Sequence, residues 1–161
     1  MTAATGVRDP HPAIADLHAR YVRCIDDDRL EDWPAFFTDP CRYQITTREN
    51  VTRNLPFGLI ECTTIGMLTD RVAALRRVNV YEPHTYSHHI SALAVTARDD
   101  GAFDARSNYL VVRTSVDGEM TLFSAGVYAD VIVITDGIAR FRERIVIAES
   151  RRIDTLLVLP L

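Results

Sequence analysis

Lysine is absent from this 161-residue sequence: all 18 basic residues are arginine, against 22 acidic ones, for a net charge of −4. A surface that binds polyphosphate needs a basic excess, so the acidic balance argues against nucleic acid as a partner. Arginine in place of lysine favours planar, bidentate pairing with carboxylates. Cysteine is scarce: Cys24, Cys41 and Cys62 lie far apart and outside any Cys-x-x-Cys motif. They read as reduced, buried thiols and exclude a disulfide frame. No stretch approaches the ~20 apolar residues of a membrane span. The opening MTAATGVRDPHP lacks the charged-then-apolar run of an export signal, so a cytoplasmic location is expected.

Recognisable cofactor chemistry is missing as well. There is no Gly-rich phosphate loop, no His-Glu-x-x-His and no Gly-x-Ser-x-Gly. A two-iron cluster with mixed ligands needs closely spaced Cys-x-His and Cys-x-x-His pairs, and neither occurs. Internal repeats and low-complexity tracts are also wanting.

What the chain does have is apolar residues, 47% of the total, enough to fill one core and too few for two. A single α+β domain over 1–161 is expected, with 1–12 as a flexible lead-in. Ile14, Leu17, Tyr21, Cys24 and Ile25 recur every three or four residues and predict a helix from Ala13 to about Leu30, behind Pro10 and Pro12. An aromatic cluster, Trp33, Phe36 and Phe37, suggests a short second helix starting near Asp32-Trp33-Pro34. Cys41 to Thr46 alternates as a short strand, and a polar loop with Pro56 and Gly58 follows. The last helix spans Thr64 to Val78, with Met67, Val72, Leu75 and Val78 on its apolar stripe and Arg71, Arg76 and Arg77 outside it. From Thr85 the period falls to two. Runs at His88–Ala97, Ser107–Val116, Met120–Ile134 and Ile138–Ala148 are separated by Asp99-Asp100-Gly101, Asp117-Gly118 and Asp136-Gly137. Asp-Gly suits hairpin turns with positive φ, so an antiparallel four-stranded meander is predicted, twisted and curled over the helices.

Four features are candidates for function. His84, His88 and His89, with Glu82 or Asp26, have the makings of a two-His-one-carboxylate metal site. His84 and His88 would share one strand face and His89 the other, and polar residues at a strand entrance read first as backbone-bonded or interface groups. Asp26-Asp27-Asp28 could place a general base at the mouth of the fold, or form a solvated helix end. Strict alternation in the final strand would put Arg140, Arg142 and Arg144 in a cationic row opposite Phe141, Ile145 and Ile147. That row is either a solvated outer face or a surface for carboxylates of another subunit. The segment Asp154 to Leu161 carries five apolar side chains and needs cover, from its own core or from another chain.

The order Tyr21, Asp26 to Asp28, Asp32-Trp33, Phe36-Phe37, Cys41 and Tyr43, followed by Met67 through Arg76, resembles the small, or β, subunits of aromatic-ring-hydroxylating dioxygenases. Asn79 through His88 and Asp154 through Leu161 are similar to the terephthalate-type members in particular. The resemblance runs from about Ala15 to Leu161. It implies a cystatin-like, nuclear transport factor 2-like cone, with N-terminal helices packed on a long, curved, mostly antiparallel sheet. It further implies a hexamer of three large (α) and three small (β) chains. A Rieske [2Fe-2S] cluster and a mononuclear Fe(II) would sit on the large subunit, with NAD(P)H acting through a separate reductase. No catalytic, cofactor-binding or metal-binding residue is then expected on this chain. The assembly's reaction would be cis-dihydroxylation of an aromatic carboxylate, terephthalate first among them. The competing reading is a stand-alone cone-fold dehydratase or isomerase, with Asp26 and His88 as acid and base and Tyr43 or Tyr86 orienting a carbonyl. A scaffold would instead fill its concave side, with Ala92, Leu110 and Phe123 as the expected fillers.

Overall fold

A computed structural model describes residues 9–78, 82–150, 157 and 159–161. Residues 1–8, most of the expected lead-in, lie outside the described residues, as do 79–81 and, from the apolar segment, Asp154 to Leu156 and Val158. His11 and Pro12 are not part of a lead-in, because they open the first helix, α1 (His11–Asp26). The expected stripe of Ile14, Leu17, Tyr21, Cys24 and Ile25 is buried, and His18 and Val22 are buried with it. The helix stops four residues before the expected end, as Asp28 takes a left-handed φ of 57° and turns the chain into a 3₁₀ segment, Leu30–Phe36. That segment carries Trp33 into the core.

Strand β1 (Phe37–Thr47) is longer than its alternating Cys41–Thr46 centre, and the polar stretch after it holds a short helix, α2 (Arg48–Thr52), and a short strand, β2 (Ile60–Cys62). Neither was legible in the sequence. Helix α3 (Ile65–Arg77) is capped by Thr64, whose hydroxyl accepts from the Met67 amide. Its buried stripe is Leu68, Val72 and Leu75. The expected Met67 and Val78 are exposed instead, because Met67 turns its sulfur back to the Thr63 amide at 3.4 Å. Arg71, expected outside, is half-buried and donates to the Leu157 carbonyl at 3.0 Å.

The long strands are β3 (His84–Ala97), β4 (Phe103–Ser115), β5 (Met120–Thr135) and β6 (Ile138–Ala148). They form the expected antiparallel meander, extended by β1 and β2 into one six-stranded sheet of order β2-β1-β6-β5-β4-β3, in which β1 runs parallel to β6. At the β5–β6 turn both Asp136 and Gly137 have positive φ, as a two-residue hairpin requires. At the other two turns only the glycine does, Gly118 and Gly101, with the glycine amide returning to Ser115 and Arg98 carbonyls.

Besides a wider register shift in β1 between Phe37 and Arg42, three single-residue bulges bend the meander. One extra residue enters β3 between Ser91 and Ala94, where Ala92 has φ 54°, one enters β5 at Phe123, and one enters β6 at Arg142. A bulge raises the local twist and re-aims every side chain after it. The result is a curved sheet whose concave face takes α1 and α3, with the core of Tyr21, Trp33, Phe37, Tyr43, Tyr128 and Phe141 between.

Candidate functional site

The concave face holds two polar clusters. At the end of α1, Asp26 meets the inward face of β3. Its Oδ1 lies 2.6 Å from His88 Nδ1, and its Oδ2 accepts from the His88 amide at 2.9 Å. A carboxylate accepts only, so Nδ1 carries the hydrogen and Nε2 is left as a lone pair. That Nε2 is buried and, among the described residues, without a partner, and the His88 side chain is fully enclosed. Asp26 also borders a pocket of about 290 Å³ shared with His84, Tyr86 and Leu159. The arrangement is that of an oriented imidazole base, but both carboxylate oxygens are committed to one residue.

Deeper in, Arg144 and Asp130 form a buried ion pair: Nε and Nη2 donate to the two carboxylate oxygens at 2.9 and 2.8 Å. His18 Nε2 stands 3.1 Å from the same carboxylate. The guanidinium lies 4.0 Å from the ring centres of Tyr128 and Phe141 and 4.2 Å from that of Tyr21, so three aromatic faces take part of its charge. Burial alone would raise the Asp130 pKa, yet the Arg144 charge and the hydrogen bonds outweigh it and hold the carboxyl below its usual range. Burial first, and the Arg144 charge with it, lower the pKa of His18 against the raising effect of Asp130.

The sequence candidates fare unevenly. Asp26 and His88 come together as paired. The histidine trio does not converge: His84 Nδ1 bonds the Glu82 carbonyl, and His89 points to the opposite face, where Ser87 Oγ lies 3.2 Å from it. Among the described residues no three His, Cys, Asp or Glu are grouped as metal ligands. Tyr43 is not free to orient a carbonyl, since its hydroxyl accepts from the Leu161 amide at 3.0 Å. Tyr86 keeps a buried hydroxyl with no partner among the described residues. Of the expected fillers, Ala92 is exposed on its bulge beside α1, Leu110 is exposed, and Phe123 sits on its bulge stacked on Tyr86 at 5.0 Å. The cationic row is broken. The bulge at Arg142 sends Arg144 inward with Phe141, while Arg142 pairs with Asp100 of the same chain at 2.8 Å. Asp27 and Asp28 are exposed, and Asp28 binds Arg76, which also grips Glu31. Leu159 and Leu161 are buried in the chain's own core, with the Leu161 carbonyl accepting from Tyr21 at 2.9 Å.

Sequence reasoning missed His18, Asp130 and Arg144. A signal existed for two of them: His18 lies on the α1 stripe between Ile14 and Tyr21, and Asp130 is a lone charge inside the run Val127 to Ile134. A charge in an apolar strand is rarely buried unpaired.

The SnoaL-like domain model matches residues 10–145. The anthranilate 1,2-dioxygenase small subunit of Burkholderia cepacia is 45% identical over 145 residues, 90% of each chain. The beta 1 subunit of the terminal oxygenase component of terephthalate 1,2-dioxygenase from a Comamonas species is 37% identical over 92% of this chain and 96% of its own. A crystal structure from Novosphingobium aromaticivorans, assigned as the beta subunit of an aromatic-ring-hydroxylating dioxygenase, superposes with a TM-score of 0.85 at 41% identity, covering 93% of this chain and 95% of that one. The cone expected from the sequence is thus the fold of its relatives, and the chain belongs to the SnoaL-like family as a small subunit of the aromatic-ring-hydroxylating dioxygenases.

Proposed function

We propose that this chain is the assembly-supporting β subunit of a three-component oxygenase acting on an aromatic carboxylate, in a complex of three large and three small chains. The Rieske [2Fe-2S] cluster and mononuclear Fe(II) belong to the large subunit, and NAD(P)H delivers electrons through a separate reductase in the cytoplasm. The observation that carries this reading is the match to dioxygenase small subunits over nine-tenths of the chain. The cone supports it: its centre is occupied by the Arg144–Asp130 pair and three aromatic rings, which leaves that part of the concave face to structure. The two curated relatives act on anthranilate and terephthalate, both benzoic acids with a second substituent. With identity higher to the anthranilate protein, the choice of terephthalate widens to a substituted benzoate. Co-expressed with its large subunit, the chain should elute in one complex with the mass of three plus three. Purified alone it should hold no stoichiometric iron. Iron on the lone chain, or failure to co-elute, overturns the proposal.

The Asp26–His88 contact favours a second reading, an acid/base site of this chain's own. Asp26→Asn and His88→Gln separate the two. Either substitution should leave dihydroxylation by the assembled complex within about twofold, whereas a working base would lose ~10²-fold or more.

A further inference from the structure

Between α1 and the bulged part of β3 lies a groove of about 400 Å³, a size in the range of small-ligand sites. Ala15, His18, Ala19 and Val22 form one wall, Ile90 and Leu93 face them, and the exposed His11 and Ser91 also line it. The space has local causes. Ala15 and Ala19 are too small to fill the helix side, and on the strand side the β3 bulge offers only the methyl group of Ala92.

His18 belongs to both the groove and the buried ion pair. Its Nε2 lies 3.1 Å from an Asp130 oxygen and 3.4 Å from Arg144 Nη2; the shorter contact, to a carboxylate that only accepts, assigns the hydrogen to Nε2. Nδ1 is then a lone pair. Among the described residues it has no hydrogen-bond partner, and His18 is 3% exposed. A buried acceptor left unmade is costly, so a donor brought to it by a ligand that spreads the groove slightly recovers more than an exposed bond would. We propose that the groove binds a small neutral aromatic molecule bearing a hydroxyl or amino group, a phenol or an aniline. Its ring lies against Ala15, Ala19 and Leu93, and its O–H or N–H donates to His18 Nδ1. A carboxylate is excluded as the anchoring group, since it would set a second set of lone pairs against Nδ1. This site is separate from the assembly role and does not depend on it.

The test is an NMR titration of the full-length chain with phenol, toluene and benzoate. Phenol should shift the amides of Ala15–Val22 and Ile90–Leu93 saturably, toluene about tenfold more weakly for want of one hydrogen bond, and benzoate not at all. His18→Phe should reduce phenol to the level of toluene. That variant also breaks the contact with Asp130, so Ala19→Trp is its companion: it fills the groove from an exposed position, and it should abolish phenol binding at an unchanged melting temperature. Equal affinity for phenol and toluene, no saturable binding, or phenol binding retained by Ala19→Trp overturns the inference.

Discussion

Arg144→Met should reverse the pH dependence of stability, and the reasoning can be followed group by group. In the native chain the ion pair is fully enclosed, both partners having 0% exposed side chains, and the guanidinium makes two hydrogen bonds within a three-ring cage. Removing one partner of such a pair leaves an uncompensated charge and costs about 3–5 kcal/mol, a large part of the ~5–15 kcal/mol that holds a domain together. His18 sets the pH response. In the native chain its folded pKa lies below the usual 6.5, so its share of stability is complete above pH 6.5 and declines as pH falls below that value, when the unfolded chain takes up a proton and the folded one does not. In Arg144→Met the repulsive Arg144 charge is gone and Asp130 has only His18 to neutralise it, 3.1 Å away. The folded pKa of His18 should then rise above 6.5, and stability should be recovered on acidification and lost as pH rises through that value. The assay is the urea midpoint and slope between pH 5.5 and 8, with a limit of about 1.4 kcal/mol per pH unit for one proton. Asp130→Asn and the double variant complete a cycle in which the double loss should be smaller than the sum of the singles. A loss below about 1 kcal/mol for Arg144→Met, or a pH slope unchanged in sign, would refute the account.

Gly126→Ala should weaken the β5–β6 pairing by about 1–3 kcal/mol, because the added Cβ would stand 2.0 Å from the Ile147 carbonyl oxygen and only a backbone shift can relieve that; urea unfolding checks it. Burial pushes the Cys24 and Cys41 thiols up to about 11 and raises that of Cys62. At pH 8 roughly one Cys24 or Cys41 in a thousand is a thiolate, so a disulfide dye should react with all three cysteines in urea and hardly at all in the native protein. Leu161→Asp places a charge where Tyr21 and Tyr43 grip the backbone and where 1% of the side chain is exposed. It should cost about 3 kcal/mol or more by thermal melting.

Two periodicities carried much of the fold. The apolar residues of α1 recur on one face because a straight helix has one period throughout, and the Asp-Gly pairs mark turns because glycine takes a positive φ that few other residues tolerate. The failures share a cause of a different kind. Alternation assigns a face only while the strand is regular, and a single inserted residue exchanges the faces from there on. Arg142 is such an insertion: Phe141 pairs with Ile132, but Glu143 pairs with Val131, so Arg144 turns inward where strict alternation had it in an outer row. Ala92 and Phe123, two of the three expected cone fillers, are themselves at bulges. Nothing in the residue types at these positions announces an extra residue. Each bulge is set by how two strands meet across the curved sheet.

The same inserted residues link curvature to function. A flat sheet of these strands would leave Arg144 beside Arg140 and Arg142 on one face, an anion-binding row open to solvent or to a partner. Once β6 bulges, Arg142 is held by Asp100 of its own chain, and Arg144 is carried into the cone to meet Asp130. The cone centre is then filled by a charge that needs its carboxylate and its three rings, all drawn from α1, β5 and β6. A substrate entering there would have to displace a fully desolvated ion pair, which costs more than an organic acid could return through a few hydrogen bonds. Among the described residues, the mouth beside Asp26 and the groove beside His18 stay open, each touching one end of the polar network and neither lined by Arg144. A cone filled at its centre by its own ion pair fits the proposed role of supporting a larger chain.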